Sequence, residues 1–370
     1  MTSVVSAPEN TATPQNVKEQ LTKIWEDMLG VSPIASDQNY FDLGGDSILA
    51  VQMFAQIEKV FGAKLPVATL FDAPTIEHLV QVLGRETPKF PSGSLIAIQT
   101  KGSRPPFFCM HGAGGNVLTY RELSEHLGED QPFYGLQSLG LDGKVPPPTR
   151  IEDMASAYVG EIRRLQPHGP YYVGGYCSGG TIAYEVAQQL RAIGEEVALV
   201  AMFDTFNWNK LPPLNFWRKT TMVFERIIFH VLNFVPLDGR GKSAFLKEKF
   251  QELRSRIPVW RAMLVNKFGG SAGDKEFESS LIGKIWTLND QAAANYVPKP
   301  YAGTITDFRP RNQYSIYKRD DFKFEQLALE GQSIVELPVY PAGMLVEPFV
   351  GVLADALRKS IDSSMKSNRK

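Results

Sequence analysis

The sequence predicts two folded units of different class: a small all-α helix bundle, then a larger α/β domain with a mostly parallel sheet and a helical insertion. Three observations support this. Apolar residues recur at helical spacing through residues 15–85, short apolar runs alternate with amphipathic stretches from residue 95 onward, and the alternation is interrupted at about 207–290. A parallel sheet with helices on both faces accounts for the alternation.

Length, composition and charge exclude several classes of protein. The chain has 370 residues, enough for two domains, and its 39 Lys and Arg nearly balance its 40 Asp and Glu, so no overall field favours nucleic acid or an anionic membrane as a partner. Two cysteines cannot build a disulfide framework, and no residue set suggests a metal site. The first twenty residues lack the apolar core of a signal peptide, and no apolar run approaches the roughly 18 residues that cross a bilayer. We expect a soluble, cytoplasmic protein.

The first domain is predicted at residues 15–85 as a bundle of three or four helices. Helical spacing of apolar residues marks helices at about 17–29, 48–61 and 76–83. Gly30 and Gly62 are typical stop signals for the first two helices. Residues 86–95 have the composition of a linker to the second domain.

The second domain is predicted at residues 96–362. Strands are expected at the apolar runs 107–110, 133–136, 171–173, 197–203 and 304–308. Helices are expected at 117–127, 151–165, 181–193 and 347–358. The interrupting segment, about 207–290, contains Pro, Trp and two or three helices and is the predicted lid.

Charge is unevenly distributed between the two domains. Residues 15–85 carry five basic and nine acidic residues, a net of −4, whereas residues 210–268 carry twelve basic and four acidic residues, a net of +8. Mutual attraction would dock the first domain near the lid. Two unrelated solvated surfaces would explain the same numbers.

Residues 43–47, LGGDS, place a serine at the start of the second predicted helix. A serine in that position is ordinarily a helix N-cap. The longer phrase FDLGGDSILAVQM, on a bundle of this size, resembles the carrier domains of nonribosomal peptide synthetases. The resemblance implies a 4′-phosphopantetheine arm on Ser47, a phosphopantetheinyl transferase that attaches it, and an upstream adenylation domain in the same synthetase. Glycines allow a modifying enzyme to approach the backbone, and a helix N-terminus favours the phosphodiester.

Residues 171–180, YYVGGYCSGG, are typical of a strand, a tight turn and a helix. A turn of the form G-x-nucleophile-x-G exposes its nucleophile at the tip. In that register Gly175 and Gly179 bracket Cys177, whereas choosing Ser178 would put Tyr176 where the turn favours glycine. Cys177 is therefore the candidate nucleophile. The alternative role for a lone cysteine is that of a small buried apolar side chain.

Two further motifs flank this turn. Residues 107–115, FFCMHGAGG, end a strand in an HGxGG loop, which can supply one backbone amide of an oxyanion hole. The residue after the nucleophile supplies the other, so the candidate donors are the amides of Ala113 and Ser178. Asp204 follows the predicted strand 197–203, where the acid of a catalytic triad can lie. Capping of a turn is its alternative role.

Together these motifs resemble the thioesterase domains that terminate nonribosomal peptide synthetases, which have the α/β-hydrolase fold. The resemblance covers about residues 95–360. It implies that an acyl chain passes from the thiol of the carrier arm to an active-site nucleophile and is then released. Carried over by position, the nucleophile is Cys177 and the acid is Asp204.

The general base of this family is missing from its expected position. It is a histidine in the loop before the last helix, and Pro341 stands there in this chain. The five histidines all precede that loop, at 78, 111, 126, 168 and 230. His111, in the oxyanion loop, and His230, in the lid, are the candidate substitutes. Alternatively no strong base is needed, because a thiol at a helix N-terminus is expected to be partly ionised.

The missing histidine bears on the kind of release. Water needs a base before it can attack an acyl-enzyme, whereas an acidic carbon or a thiol needs less help. The chain resembles, in this respect, synthetases with only adenylation, carrier and thioesterase domains, which join two aryl-pyruvate units through carbon nucleophiles. The sequence favours release by condensation or transfer (C–C or ring-forming) over plain hydrolysis, in secondary-metabolite biosynthesis. A hydrolytic or macrocyclising peptide-releasing thioesterase and an impaired, acyl-binding pseudoenzyme are the alternatives.

Overall fold

The computed structural model describes residues 13–84, 93–141, 145–211, 216–246, 249, 281–317 and 324–367. The chain divides into two compact units, residues 1–90 and 91–370. Most of the predicted linker 86–95 and residues 250–280 of the predicted lid lie outside the described residues.

The first unit contains the predicted helical bundle. Its helices are α1 (Pro14–Leu29), α2 (Ser47–Phe61), the short α3 (Thr69–Asp72) and α4 (Ile76–Leu83). Pro14 stands in the first turn of α1, where its missing N–H costs nothing, and Gly30 ends the helix with a left-handed φ of 59°. Trp25 of α1 is fully buried and meets the ring of Tyr40 edge to face, with ring centroids 5.4 Å apart. This aromatic pair anchors the loop between α1 and α2.

The second unit is built on one sheet of seven described strands. The strands are β1 (Leu95–Gln99), β2 (Phe107–Met110), β3 (Phe133–Leu136), β4 (Tyr171–Tyr176), β5 (Val197–Phe203), β6 (Ile305–Pro310) and β7 (Gln332–Leu337). Their order across the sheet is β1-β3-β2-β4-β5-β6-β7. β1 pairs with β3 in the antiparallel sense, and the remaining pairs are parallel. The predicted mostly parallel α/β sheet is confirmed.

Helices connect and cover these strands. They are α5 (Arg121–Leu127), α6 (Ile151–Leu165), α7 (Ser178–Ala192), α8 (Phe216–Phe234), α9 (Leu281–Asn295) and α10 (Val350–Ser367). The carboxyl ends of β2, β4 and β5 meet at one edge of the sheet, which is where ligands bind in open α/β sheets. None of the described helices is both long and apolar enough to span a lipid bilayer.

The two described long helices of the predicted lid region differ from each other. α8 exposes an apolar face, including Val223, Phe224 and Ile227. α9 instead buries Ala292 and Ala293 in the main hydrophobic core beside α6 and α7. α9 is therefore an integral part of the α/β domain.

Candidate active site

The turn before α2 requires both of its glycines. Gly44 has a φ of 90°, a conformation that side chains with a Cβ rarely adopt. A Cβ on Gly45 would lie 2.2 Å from the ring of Tyr40. The Tyr40 hydroxyl in turn donates to the carbonyl oxygen of Asp46, 3.0 Å away. The buried Tyr40 ring thus fills the space that a side chain at position 45 would need, which explains the glycine there.

Asp46, and not Ser47, caps α2. The Asp46 carboxylate accepts a hydrogen bond from the backbone N–H of Leu49 at 2.8 Å. That is the bond that an N-cap side chain makes at the start of a helix. Ser47, the first residue of α2, is half-buried, and its hydroxyl is not the capping acceptor.

Cys177 occupies the tip of the predicted elbow between β4 and α7. Its φ of 58° and ψ of −123° form a strained combination for a residue with a side chain, and such strain persists mainly at functional sites. A Cβ on Gly175 would lie 2.3 Å from the backbone of Gly179, and one on Gly179 would lie 2.4 Å from the carbonyl oxygen of Met110. The bracketing glycines therefore let strand, turn and helix pack this closely.

The HGxGG loop lies beside the elbow. The Gly115 N–H donates to the Gly112 carbonyl at 3.0 Å, which curls the loop, and the Ser138 N–H donates to the Gly115 carbonyl at 2.7 Å. Ala113, inside this curl, is buried. The backbone amide of Ser178 lowers the pKa of the Cys177 thiol. A Cβ on Gly112 would lie 3.5 Å from the carbonyl oxygen of Tyr176, so the loop and the elbow, which contain the two predicted oxyanion donors, are neighbours.

One tyrosine links the two strands that carry these segments. The Tyr120 hydroxyl donates to the carbonyl oxygen of Met110 at 2.6 Å and accepts from the N–H of Tyr176 at 3.1 Å. Met110 ends β2 just before the loop, and Tyr176 ends β4 just before Cys177. Tyr120 therefore fixes the spacing between the two segments.

Asp204 follows β5 and faces the same site. It is buried and also has a positive φ, 44°. Its charge acts on the Cys177 thiol and on the hydroxyls of Tyr176 and Tyr317. The structure therefore places the predicted acid close to the predicted nucleophile.

The thiol of Cys177 is protonated at neutral pH, which corrects the expectation of a partly ionised thiol. Burial raises its pKa to about 12, and the charges of Asp204 and Asp290 raise it further, whereas the Ser178 amide lowers it. Removal from water and two nearby carboxylates thus outweigh the helix N-terminus. Attack by this thiol therefore requires a base.

His111 is not placed to act as that base, which corrects the sequence-based assignment. Its ring is fully buried, and burial lowers its pKa to about 4. Nδ1–H donates to the Gly112 carbonyl at 2.7 Å, so Nε2 of the neutral ring accepts from the Tyr158 hydroxyl at 2.8 Å. Both nitrogens are committed to structural partners.

His230, the other candidate, packs among aromatic rings. Its ring lies edge-on to those of Tyr340 and Phe245, with centroid distances of 5.0 and 6.0 Å. His230 therefore packs against Tyr340, the residue before Pro341.

Sequence reasoning missed a group of tyrosines near Cys177. Tyr176 donates to the Pro341 carbonyl at 3.1 Å, and the Tyr317 ring packs on Phe206 at a centroid distance of 4.7 Å. Burial, followed by the charges of Cys177 and Asp204, raises the pKa of Tyr317 to about 12. The only sequence signal was that residues 311–317 follow β6, whose carboxyl end lies at the same edge of the sheet.

Helix α9 also contacts the site, through one face. The side-chain amide of Asn289 donates to the Ala113 carbonyl at 2.9 Å. A Cβ on Gly114 would lie 3.2 Å from the ring of Trp286, so that ring packs on the loop. Burial raises the pKa of the Asp290 carboxyl, and the Trp286 side chain lowers it. No sequence motif marked these residues.

Comparisons with known proteins agree with this geometry. Residues 19–83 match the family described as phosphopantetheine attachment site, and residues 105–212 match the thioesterase domain family. The dimodular nonribosomal peptide synthase of Bacillus subtilis is 38% identical over 200 residues, which are 54% of this chain and 8% of that protein. Atromentin synthetase invA5 of Paxillus involutus is 30% identical over 181 residues, 48% of this chain and 19% of that protein. The chain thus spans less than a fifth of either relative.

A solved structure shares the fold. Holo-AB3403, a four-domain nonribosomal peptide synthetase bound to AMP and glycine, aligns with a TM-score of 0.55 and 24% identity over 97% of this chain and 27% of that chain.

Proposed function

We propose that this chain, which joins a phosphopantetheine carrier domain to a thioesterase domain as nonribosomal peptide synthetases do, releases a carrier-bound acyl group through Cys177. The two family matches confirm the predicted resemblance. The observation that carries the proposal is the meeting of three segments: the strained elbow at Cys177, the oxyanion loop around Ala113 and the acid Asp204. By analogy with its relatives, the chain would act in secondary-metabolite biosynthesis.

The carrier match implies a covalently attached 4′-phosphopantetheine. Ser47 fits this attachment, because Asp46 already caps α2 and the Ser47 hydroxyl lies at the N-terminus of a 15-residue helix. The helix dipole there favours a phosphodiester. When bound, the group supplies a thiol that holds the acyl chain as a thioester. Its attachment calls for a phosphopantetheinyl transferase, and its loading for an adenylation domain of the same synthetase.

The chemistry at Cys177 has two halves. Attack of Sγ on the carbonyl carbon of a thioester forms a new C–S bond, breaks the old one, and leaves the proton of Cys177 on the departing sulfur. An acceptor then attacks the acyl-cysteine, the second C–S bond breaks, and the thiol regains a proton. In each half the amides of Ala113 and Ser178 stabilise the charge on the carbonyl oxygen.

The acceptor is proposed to be a carbon or another activated nucleophile rather than water. Pro341 offers no imidazole, and water at neutral pH is a poor nucleophile without general-base assistance worth about 10²–10⁴-fold. A carbon between a carbonyl and an aromatic ring is acidic enough for a weak base. The same oxyanion donors would stabilise its enolate.

Docking of the two domains is proposed to use their opposite charge. The net charges are −4 for residues 15–85 and +8 for residues 210–268. The ten residues 86–95 span at most about 35 Å, so the encounter is effectively intramolecular. Lys249 of the basic segment lies over the Tyr340 ring, 5.5 Å from its centroid, and so also has a structural contact. Lys247 and Arg254, two further basic residues, lie outside the described residues.

A second candidate is an impaired domain that only binds acyl groups. The protonated thiol of Cys177 and the proline at 341 favour it. Both candidate functions hold the acyl group as a thioester on the carrier arm. The second candidate differs because it predicts that no acyl group is transferred to Cys177.

The experiment that tests the proposal loads the full chain with a phosphopantetheinyl transferase and phenylacetyl-CoA, then adds N-acetylcysteamine as acceptor. We expect intact mass and peptide mapping to find phenylacetate on Cys177, and the acceptor thioester to exceed free acid. Cys177→Ala should leave the acyl group on the carrier, whereas Cys109→Ala should behave as the unmutated chain. An acyl group that stays on the carrier in the unmutated chain would favour the binding candidate, and free acid as sole product would favour a hydrolase.

A further inference from the structure

We infer that Asp290 of helix α9 is the general base that takes the proton of Cys177, in place of the histidine absent at position 341. The inference rests on the proposed role of Cys177 as nucleophile. Three steps lead to it: the thiol needs a base, His111 does not supply one, and α9 carries a carboxylate whose charge acts on the thiol.

The need for a base follows from the state of the thiol. With a pKa of about 12, about one Cys177 in 10⁵ is ionised at pH 7. The buried His111 donates to the Gly112 carbonyl and accepts from the buried Tyr158. The remaining groups whose charge acts on the thiol are two carboxylates, Asp204 and Asp290.

The position of Asp290 follows from its helix. Residues 286, 289 and 290 stand at i, i+3 and i+4 and so share one face of α9. Trp286 packs on Gly114, and Asn289 donates to the Ala113 carbonyl at 2.9 Å, so this face is turned toward the oxyanion loop. Asp290 therefore stands on the face of α9 that contacts the oxyanion loop, and its charge acts on the Cys177 thiol.

The helix holds this face firmly. Asn209 donates to the Ala294 carbonyl at 3.1 Å, and Tyr296, just after the helix, donates to the Glu185 carboxylate at 2.7 Å. Together with the bond from Asn289, these contacts fix the helix at its middle and its carboxyl end. A base carried on α9 would thus be preorganised.

The two carboxylates differ in their exposure to solvent, and therefore in their access to an acceptor. Asp204 is buried, whereas Asp290 is exposed. Asp290 can therefore serve both halves of the reaction. It accepts the thiol proton while the Sγ–carbon bond forms, gives it to the departing sulfur, and later takes the proton of the acceptor. A carboxylate is a weaker base than imidazole, which suits an acidic acceptor better than water.

The test compares two reactions of Cys177 that respond oppositely to Asp290. One is alkylation by iodoacetamide, which consumes the thiolate and needs no positioned base. The other is acylation by the N-acetylcysteamine thioester of phenylacetate, followed by rapid quench and intact mass. Asp290→Asn removes a negative charge that raises the thiol pKa, so alkylation should become faster. Acylation should become slower, by about 10²-fold, because the base is gone.

Matched variants separate the outcomes. Asp290→Glu should retain part of the acylation rate, whereas Lys284→Gln, an exposed change on the same helix, should alter neither reaction. If Asp290→Asn speeds acylation as well as alkylation, or leaves acylation within about twofold, Asp290 acts only as a charge and the inference is wrong. If His230→Gln gives the loss expected of Asp290→Asn, His230 is the base. If Cys177→Ala is acylated like the unmutated chain, the proposed function fails instead.

Discussion

The hydroxyl of Tyr176 donates a hydrogen bond of 3.1 Å to the carbonyl oxygen of Pro341. The residue before the candidate nucleophile is therefore bonded to the residue that stands where the family has its histidine. The loop that contains Pro341 thus lies beside the elbow. The departure from the family pattern lies in the side chain at position 341. Both the choice of acceptor and the need for a substitute base follow from that one replacement.

Pro341→His should raise the release of free acid relative to the transfer product. The contact with Tyr176 puts the backbone of residue 341 beside the elbow, and a general base there would be worth up to about 10²–10⁴-fold to the attack of water. The measurement is the ratio of phenylacetate to its N-acetylcysteamine thioester after loading with phenylacetyl-CoA.

Pro341→Ala is the control, since it removes the ring without adding a base. A free-acid fraction no higher in the histidine variant than in the alanine variant would contradict our account of position 341. Hydrolysis by the unmutated chain at rates typical of complete triads would contradict it as well.

Ser47→Ala should abolish phosphopantetheinylation and leave the helical unit folded. The Asp46 carboxylate, and not the Ser47 hydroxyl, caps α2, so the substitution removes no capping bond. Asp46→Ala should instead cost about 1 kcal/mol of stability through the lost cap. The measurements are intact mass after incubation with a transferase and coenzyme A, and thermal unfolding of each variant. Continued mass addition to Ser47→Ala would contradict the assignment.

Alkylation by iodoacetamide should select Cys177 over Cys109 but should be slow at pH 7. Cys109 is fully buried in β2, and burial raises the pKa of its thiol far above the ordinary value. Because the pKa of Cys177 is about 12, its thiolate fraction should rise about tenfold for each pH unit between 7 and 11. Peptide mapping across that range measures the rise. A rate that levels off near pH 8 would mean that the thiol is not held protonated.

Acyl transfer from a separately expressed carrier should weaken as salt is added. Exposed opposite charges mainly speed encounter and are screened over about 8 Å at physiological ionic strength. Arg240→Glu, an exposed change in the basic segment, should slow the transfer, whereas Lys101→Glu, an exposed change outside it, should not. Initial rates at two salt concentrations give the comparison, and equal rates for the two variants would argue against charge-driven docking.

The sequence predicted β2, β3, β4 and β5 because each of them is a short run with almost no polar residues. Phe107–Met110 is buried at every position, so its composition alone marks it. The edge strands β1 and β7 were not predicted. Ile334 of β7 is 48% exposed, and a half-exposed edge strand carries only a weak apolar pattern.

The chemistry at the site was predictable where a motif fixes the backbone, and not where the environment decides. The glycines around Cys177 and Ser47 marked both turns. The sequence could not show that the His111 ring hydrogen-bonds to Tyr158, 47 residues further along the chain. Nor could it show that burial would raise the pKa of the Cys177 thiol and so keep it protonated. Asp290 carries no motif at all, because only the packing of α9 on the oxyanion loop lets its charge act on the thiol.

The hydroxyl of Tyr120 has a consequence for any attempt to re-engineer this domain. It hydrogen-bonds to the carbonyl of Met110 and to the amide of Tyr176. The distance between the oxyanion loop and the nucleophile is therefore set by a side chain of a third segment, the one just before α5. A graft that exchanged the loop or the elbow from another enzyme without residue 120 would lose that spacer. The oxyanion loop, the elbow and the segment of Tyr120 should therefore be exchanged together, although Tyr120 and Tyr176 are 56 positions apart in the chain.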